Sequence, residues 1–512
     1  MGEQQLPQHA RVAIVGTGFS GLGTAIRLAR SGRRDFVVLE RAGDLGGTWR
    51  DNTYPGAACD VPSRLYSFSF RLNPEWTRAY STQPEILAYL RTCAREAGVL
   101  PHIRYNTELL DAAWDADEQL WRISTARGDL TANFLVMGTG ALVEPARPDI
   151  PGLDSFAGTV FHSARWNHDH NLTGRRIGVI GTGASAIQFV PQVQQVAGHV
   201  TLFQRTAPWV LPRSDRGILG VEQWVYRNIP GVHRAARAGV YTLLESRALG
   251  FVVNPRLLAP MERIGRWNLG KAVKDPELRD KLTPRYSIGC KRVLISNDYY
   301  PALAQPNVDV VTAGIQAIEP RGIRTRDGVL HEFDTLILGT GFHVTDNPGF
   351  SRIRGRDGVS LEKAWADGGM RAHLGSSVPG FPNLFLLLGP NTGIGHTSAV
   401  YMIESQIQYV LQALEHAART NVVELEVRPE VEAAYNTKVA ERSANTVWKS
   451  GCASWYLDSE GRNTVLWPDL TFRFRWMTRR FRPDDFVAVG RDGIGSQGDR
   501  GAGDRVLGGA SA

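Results

Sequence analysis

The sequence predicts an α/β protein: two Rossmann-like dinucleotide-binding domains with a helical insertion. Two observations predict it. A strand, glycine turn, helix and second strand occur twice, and a basic stretch of helical pattern interrupts the chain after the second copy. Residues 11–18 read RVAIVGTG and residues 176–183 read RIGVIGTG. Each is a short apolar run ending in glycines, the signature of a buried parallel strand. Helical patterns follow, FSGLGTAIRLAR in the first copy and ASAIQFVPQVQQ in the second. Apolar runs DFVVLE (35–40) and HVTLFQR (199–205) then complete a βαβ unit each time.

The turn residues have separate tasks. Gly16 permits the tight exit from the strand, Gly18 lets the backbone approach a pyrophosphate, and Gly21 lets helix and strand pack closely. Phe19 and Ser20 open the helix, whose N-terminus offers N–H groups and a positive dipole end to phosphates. In the second copy Gly181, Thr182, Gly183, Ala184, Ser185 and Ala186 take these places, with Gln188 just beyond. A single glycine loop is weak evidence; two, each between strand and helix, are not.

The end of each second strand discriminates the ligands. Glu40 lies 24 residues after Gly16, where a carboxylate accepts from ribose hydroxyls and repels a 2′-phosphate. The first site therefore suits FAD. Arg205, 24 residues after Gly181 and followed by Thr206, offers a guanidinium that matches a 2′-phosphate. The second site suits NADPH over NADH.

Size and composition agree with such an enzyme. The 512 residues have 43% hydrophobic and 21% charged content, ordinary for a globular chain of several domains. MGEQQLPQHA has no apolar signal core, and no apolar run reaches the ~18 residues of a membrane span. Cys59, Cys93, Cys290 and Cys452 form no CxxC pair, which argues against zinc and against a dithiol redox centre. So few cysteines fit a reducing cytoplasm, without strictly excluding a disulfide. The net charge of +7 is concentrated: residues 213–288 hold 14 Lys/Arg against 7 Asp/Glu. This reads as a solvated helical face.

Along the chain, residues 1–150 form the first part of the FAD domain and 151–212 the first part of the NADP domain. The helical insertion covers 213–288, 289–340 completes the NADP domain, 341–489 completes the FAD domain, and a glycine-rich tail, 490–512, is expected to be disordered. Within the insertion, DPELRDKL (275–282) starts a helix with Asp275 as cap and proline in its first turn. VYTLLESRALGFVV (240–253) reads as a buried insertion helix in preference to a membrane-surface one. FRFRWMTRRFR (472–482) alternates aromatic and basic residues; with no nucleic-acid fold beside it, it reads as a packed edge with exposed arginines.

Three motifs then resemble one family. FAGTVFHSARWN (156–167) is similar to the FxGxxxHxxxW fingerprint of Baeyer–Villiger monooxygenases through Phe156, Gly158, His162 and Trp166; Asn167 stands where the family usually has Pro or Asp. GGTWRDNTYPGAACD (46–60) resembles the longer pattern [AG]GxWxxxx[FY]P[GM]xxxD, including Asp60. GCKR (289–292) resembles the segment that carries the family's active-site arginine, which falls on Arg292, with Lys291 placed to reach the NADP 2′-phosphate. VMGTGA (136–141) and LGTGFHVTD (338–346) resemble the family's two interdomain hinges, and GPNTGIGHTSAVYMIESQ (389–406) resembles its stretch over the flavin.

The resemblance implies a cytoplasmic, NADPH- and O2-dependent flavoprotein monooxygenase, monomeric or homodimeric. It would convert ketones to esters or lactones through a C4a-peroxyflavin, with sulfoxidation as a companion activity. Arg292 and Asp60 are the implied catalytic pair, and Thr48, Trp49, Tyr66 and Leu109 join the implied cofactor contacts. His162 reads as structural and Cys59 as a packed side chain with no base beside it. The alternative is a flavin-containing monooxygenase acting mainly on sulfur or nitrogen. A disulfide reductase of similar plan is disfavoured by the missing CxxC, and a flavoprotein sensor has no need of Asp60 and Arg292. No metal and no nucleic-acid partner are expected.

Overall fold

A computed structural model describes residues 5–452 and 454–490. The glycine-rich tail expected over 490–512 therefore lies, beyond its first residue, outside the described residues.

The two βαβ units found in the sequence become the centres of two sheets. In the first, β1 (His9–Val15) lies parallel between β2 (Phe36–Leu39) and β6 (Gly128–Met137). β3 (Ile103–Arg104) extends the β2 side, and the antiparallel β4 (Leu109–Asp115) and β5 (Leu120–Thr125) extend the β6 side. The chain then builds a second, wholly parallel sheet from β7 (Thr159–His162), β8 (Arg176–Ile180), β9 (His199–Phe203), β10 (Val308–Val311) and β11 (Thr335–Leu338), in the order β10-β9-β8-β11-β7. It returns to the first sheet with β12 (Ile353–Arg354) beside β4 and β13 (Leu384–Leu386) beside β6. β2 and β11 are buried at every position, as strands covered on both faces must be.

The two crossings between the sheets run side by side. The Ala146 N–H donates to the Gly341 carbonyl at 2.8 Å and the His343 N–H to that of Glu144 at 2.9 Å. Each connector thus satisfies the other's backbone, which makes the hinge a two-stranded strap. His162 sits where β7 meets this strap. Its Nδ1 accepts from the Ala164 N–H at 3.0 Å and its ring stands edge-on to Phe342.

The insertion is helical: Gly220–Asn228, Val232–Val252, Ala259–Ala272 and Pro276–Lys281. Asp275 caps the last through the N–H groups of Glu277 and Leu278. The long helix Val232–Val252 buries only one face. Glu245, Ala248, Phe251 and Val252 turn inward, while Leu243 and Leu249 stay exposed. It also docks on the first nucleotide-binding unit, where Arg237 Nη1 donates to the carbonyls of Arg64 and Leu65. Glu245 caps a further helix, Thr471–Thr478, accepting from the Thr471 hydroxyl and the Phe472 N–H. The aromatic–basic stretch expected to form a packed edge begins as a helix. Its first seven residues are helical, burying Phe474 and leaving Phe472 and Trp476 in solvent. The helix start is held by a carboxylate from a distant helix, Glu245.

The isolated cysteines suggested a reducing setting without excluding a disulfide, and Cys290 and Cys452 do form one across 162 residues. Cys59 and Cys93 are buried and free.

Burial pushes His162, His233 and His373 down to about 4 from an ordinary value near 6.5. Between those values the folded chain keeps them neutral while the unfolded chain protonates them, so stability is lost as pH falls from 6.5 toward 4. We expect the thermal midpoint to drop across that window. His233→Phe, which retains the stack on Tyr226, should flatten the drop, as a melting series in pH would show.

Candidate active site

The first glycine turn is shaped for a phosphate. Gly16 has φ +97°, and a Cβ there would lie 2.8 Å from the Gly138 carbonyl, so only glycine closes this turn. The helix Phe19–Arg30 that follows has no acidic residue in its first turn, which leaves its positive end for an anion. Glu40, just past β2, is 3% exposed. It accepts from the Thr17 N–H at 3.1 Å, the Ala42 N–H at 2.9 Å and Arg50 Nη1 at 2.8 Å. The carboxylate is thus fixed before any ribose arrives. Ser20 is buried in the same turn. Phe19 meets the Tyr66 ring edge-on at 5.0 Å, and Trp49 Nε1 donates to the Tyr66 hydroxyl at 3.0 Å. Thr48 opens the short helix Thr48–Asp51 that carries Trp49. These features fit FAD.

The second turn repeats the design. Gly181 has φ +113° and its Cβ would meet the Gly339 backbone. Gly183 and Ala184 are exposed, and nothing lies within 4 Å of where a Gly183 Cβ would stand. Thr182 Oγ1 donates to the Thr206 carbonyl at 3.2 Å, tying the turn to the end of β9. Ser185 precedes the helix Ala186–Gln194, in which Ala186 is buried. Arg205 stands exposed beyond β9. Lys291 lies close enough that burial and then the Arg205 charge pull its ammonium below the ordinary lysine value. The ammonium also rests 5.2 Å from the centroid of the Tyr286 ring. Two cations from distant parts of the chain thus share one space, which suits the 2′-phosphate of NADPH.

Between the two nucleotide sites stands the ion pair. Arg292 Nε donates to Asp60 Oδ2 at 2.9 Å, and Nη2 donates to Oδ1 at 2.8 Å and Oδ2 at 2.6 Å. The Asp60 charge, outweighing burial, raises the guanidinium above its ordinary value. Both side chains remain partly open, 30% and 24% exposed. Nη1 is left as the donor not engaged by the carboxylate. Neighbouring Cys59 is inert: burial, then the charge of Asp60, pushes its thiol far up.

Two of the expected cofactor-contact residues also have structural roles. The Gln188 amide binds the Tyr54 hydroxyl at 3.0 Å and both the N–H and the carbonyl of Ala58. It therefore pins the 46–60 loop to the second nucleotide-binding unit. The Leu109 side chain packs in the core behind the first sheet. Sequence reasoning also missed Tyr456, whose hydroxyl reaches the Arg292 guanidinium. Its one visible cue was its place four residues after Cys452.

Two dinucleotide sites with a cation pair at one and a guanidinium–carboxylate pair between them define an FAD- and NADP-dependent flavoprotein. The comparisons give the family. Residues 9–222 match the model for flavin-binding monooxygenase-like proteins. A Baeyer–Villiger monooxygenase of Streptomyces coelicolor is 50% identical over 482 residues, covering 93% of this chain and 92% of that one. The fold is similar to cyclohexanone monooxygenase from Rhodococcus sp. Phi1 bound to NADP+ (TM-score 0.84, 27% identity, 95% of this chain and 100% of that chain). It is also similar to OTEMO in complex with FAD and NADP (TM-score 0.82, 27% identity, 94% and 99%). The chain belongs to the Baeyer–Villiger monooxygenases. It is an enzyme that uses FAD, NADPH and O2 to convert ketones to esters or lactones. Among the described residues no helix is long and apolar enough to cross a membrane, and no cluster of ligands suits a metal.

Proposed function

We propose that Arg292 is the catalytic cation of this ketone oxidation and that Asp60 positions it. The observation that carries the reading is the two-toothed pair that fixes the guanidinium yet leaves Nη1 outside the carboxylate's grip. When bound, FAD supplies the oxygen chemistry and NADPH the hydride. The chain's own contribution is electrostatic. Negative charge moves onto the carbonyl oxygen as the ketone is attacked, and a preorganised cation there lowers the barrier. Arginine suits this because it keeps its proton at any working pH. Asp60 holds the guanidinium in one orientation and spares it the cost of standing unpaired before substrate enters. Arg205 and Lys291 grip the NADP phosphate and Glu40 the FAD ribose. The structural relatives named cyclohexanone monooxygenases make a cyclic ketone the first probe.

The test is a rapid-mixing experiment on the FAD-loaded enzyme. The protein is reduced anaerobically with NADPH, then mixed with oxygenated buffer alone, with cyclohexanone, with 2-octanone, or with methyl phenyl sulfide. A flavin transient that decays faster with a ketone, with ester as product, supports the reading. A transient hastened only by the sulfide favours the sulfur-oxidising alternative. Immediate reoxidation with peroxide release, unaffected by any of the three, would overturn both.

A further inference from the structure

The Asp60–Arg292 pair has a neighbour with no counterpart in the reading above. Tyr456 is 1% exposed, yet among the described residues its hydroxyl has no well-formed hydrogen bond. A buried hydroxyl with no well-formed hydrogen bond calls for an explanation. Its surroundings supply one. The ring is wedged between Trp455, at 4.5 Å, and Trp448, at 6.5 Å. The hydroxyl lies within reach of Arg292, and the two groups act on each other's charge. The hydroxyl and the guanidinium thus lie side by side at the Asp60–Arg292 pair.

The placement is enforced from both ends. Cys452, four residues before Tyr456, is bonded to Cys290, two residues before Arg292. After Tyr456, Leu457 bridges to Asn463, and Leu466 bridges to Gly393 in the stretch leading to the helix Ala399–Thr420. The segment that carries Tyr456 and the segment that carries Arg292 are therefore joined covalently. Burial raises the Tyr456 hydroxyl, and the lowering by Arg292 does not cancel this, so the group stays a protonated donor.

We propose that Tyr456 is a further catalytic residue of this site, its hydroxyl donating beside Arg292 Nη1 to the ketone oxygen as that oxygen gains charge. The two donors converge on one atom, the arrangement of an oxyanion hole. No proton is transferred: the phenol keeps it throughout. The inference rests on the reading of Arg292 given above.

The test is Tyr456→Phe, which keeps the ring and removes the donor. It uses FAD-loaded enzyme and whichever of cyclohexanone and 2-octanone the parent oxidises faster. Removing one such donor costs roughly 10²–10³ in kcat where it acts with few companions; with Arg292 still present, a loss of about tenfold or more is expected. KM for the ketone should change little, because the bond strengthens only as charge develops. Flavin reduction by NADPH, FAD content and melting temperature should match the parent. Parental kcat and parental ester yield per NADPH would overturn the inference. So would a loss of flavin reduction as deep as the loss of ester, which marks a general packing role. If Tyr456→Phe does not retain FAD, 2,3-difluorotyrosine at position 456 preserves shape and strengthens the donor. A changed kcat then supports the role and an unchanged one overturns it. Arg292→Ala separates the two layers: if it makes ester at the parental rate, the Arg292 reading itself fails. If it is inactive while Tyr456→Phe is normal, only the Tyr456 inference fails.

Discussion

Arg292→Ala is expected to lose ester formation by at least about 10²–10³-fold while still consuming NADPH and releasing hydrogen peroxide. The split follows from where the residue sits. The groups proposed to face the NADP phosphate are Arg205 and Lys291, whose charges meet, and those that fix Glu40 are Thr17, Ala42 and Arg50. None of these contacts uses the Arg292 guanidinium, so hydride delivery should persist without it. What disappears is the fixed charge at the carbonyl. Arg292→Lys keeps a charge but not the two-toothed fit to Asp60, so it should recover only a small part of the loss. Asp60→Asn should lose less than Arg292→Ala, because the cation remains and only its orientation loosens. Ester, NADPH and peroxide measured together check all three. Coupled turnover by Arg292→Ala would place the catalytic charge elsewhere.

Parts of this architecture were plain in the amino-acid sequence, for a physical reason. A glycine with positive φ between a buried strand and a helix is dictated locally, so Gly16 and Gly181 announce themselves, and so do the apolar strands beside them. Asp275 and its proline likewise mark a helix start within a few residues. What the sequence hid depends on distant partners. The Cys290–Cys452 bond joins residues 162 apart, and no spacing rule pairs two isolated cysteines. The helix Thr471–Thr478 is capped by Glu245 from the insertion, a partner invisible to any local pattern. Gln188 looks like a helix residue beside a cofactor, but its amide is already engaged by Tyr54 and Ala58. Tyr456 gains meaning only once the fold places it against Arg292. Motifs locate backbone cradles; donors and acceptors brought from remote segments become visible only in the fold.

Loss of the paired cations beyond β9 should convert the enzyme's cofactor preference, the second large effect. Arg205 and Lys291 are 86 positions apart in sequence, yet the Arg205 charge lowers Lys291. Holding two cations together is unfavourable by itself, and a dianionic 2′-phosphate between them reverses the sign of that term. A charge-assisted hydrogen bond contributes about 1.5–3 kcal/mol, or roughly 10- to 150-fold in affinity. Arg205→Ala and Lys291→Ala should each raise KM for NADPH on that scale and leave KM for NADH nearly unchanged. The double variant should exceed the product of the two, since each single removal relieves the remaining cation of repulsion and the double leaves none to benefit. The lowered Lys291 adds a pH signature. Its charge is present at low pH and is lost as pH rises through a value below the ordinary lysine range. KM for NADPH should therefore climb in alkaline buffer before any free lysine titrates, while KM for NADH stays flat. Lys291→Arg, which keeps its proton there, should remove the climb. A steady-state series in pH with both cofactors decides it, and equal alkaline drift for NADH and NADPH would show that Lys291 does not face the 2′-phosphate.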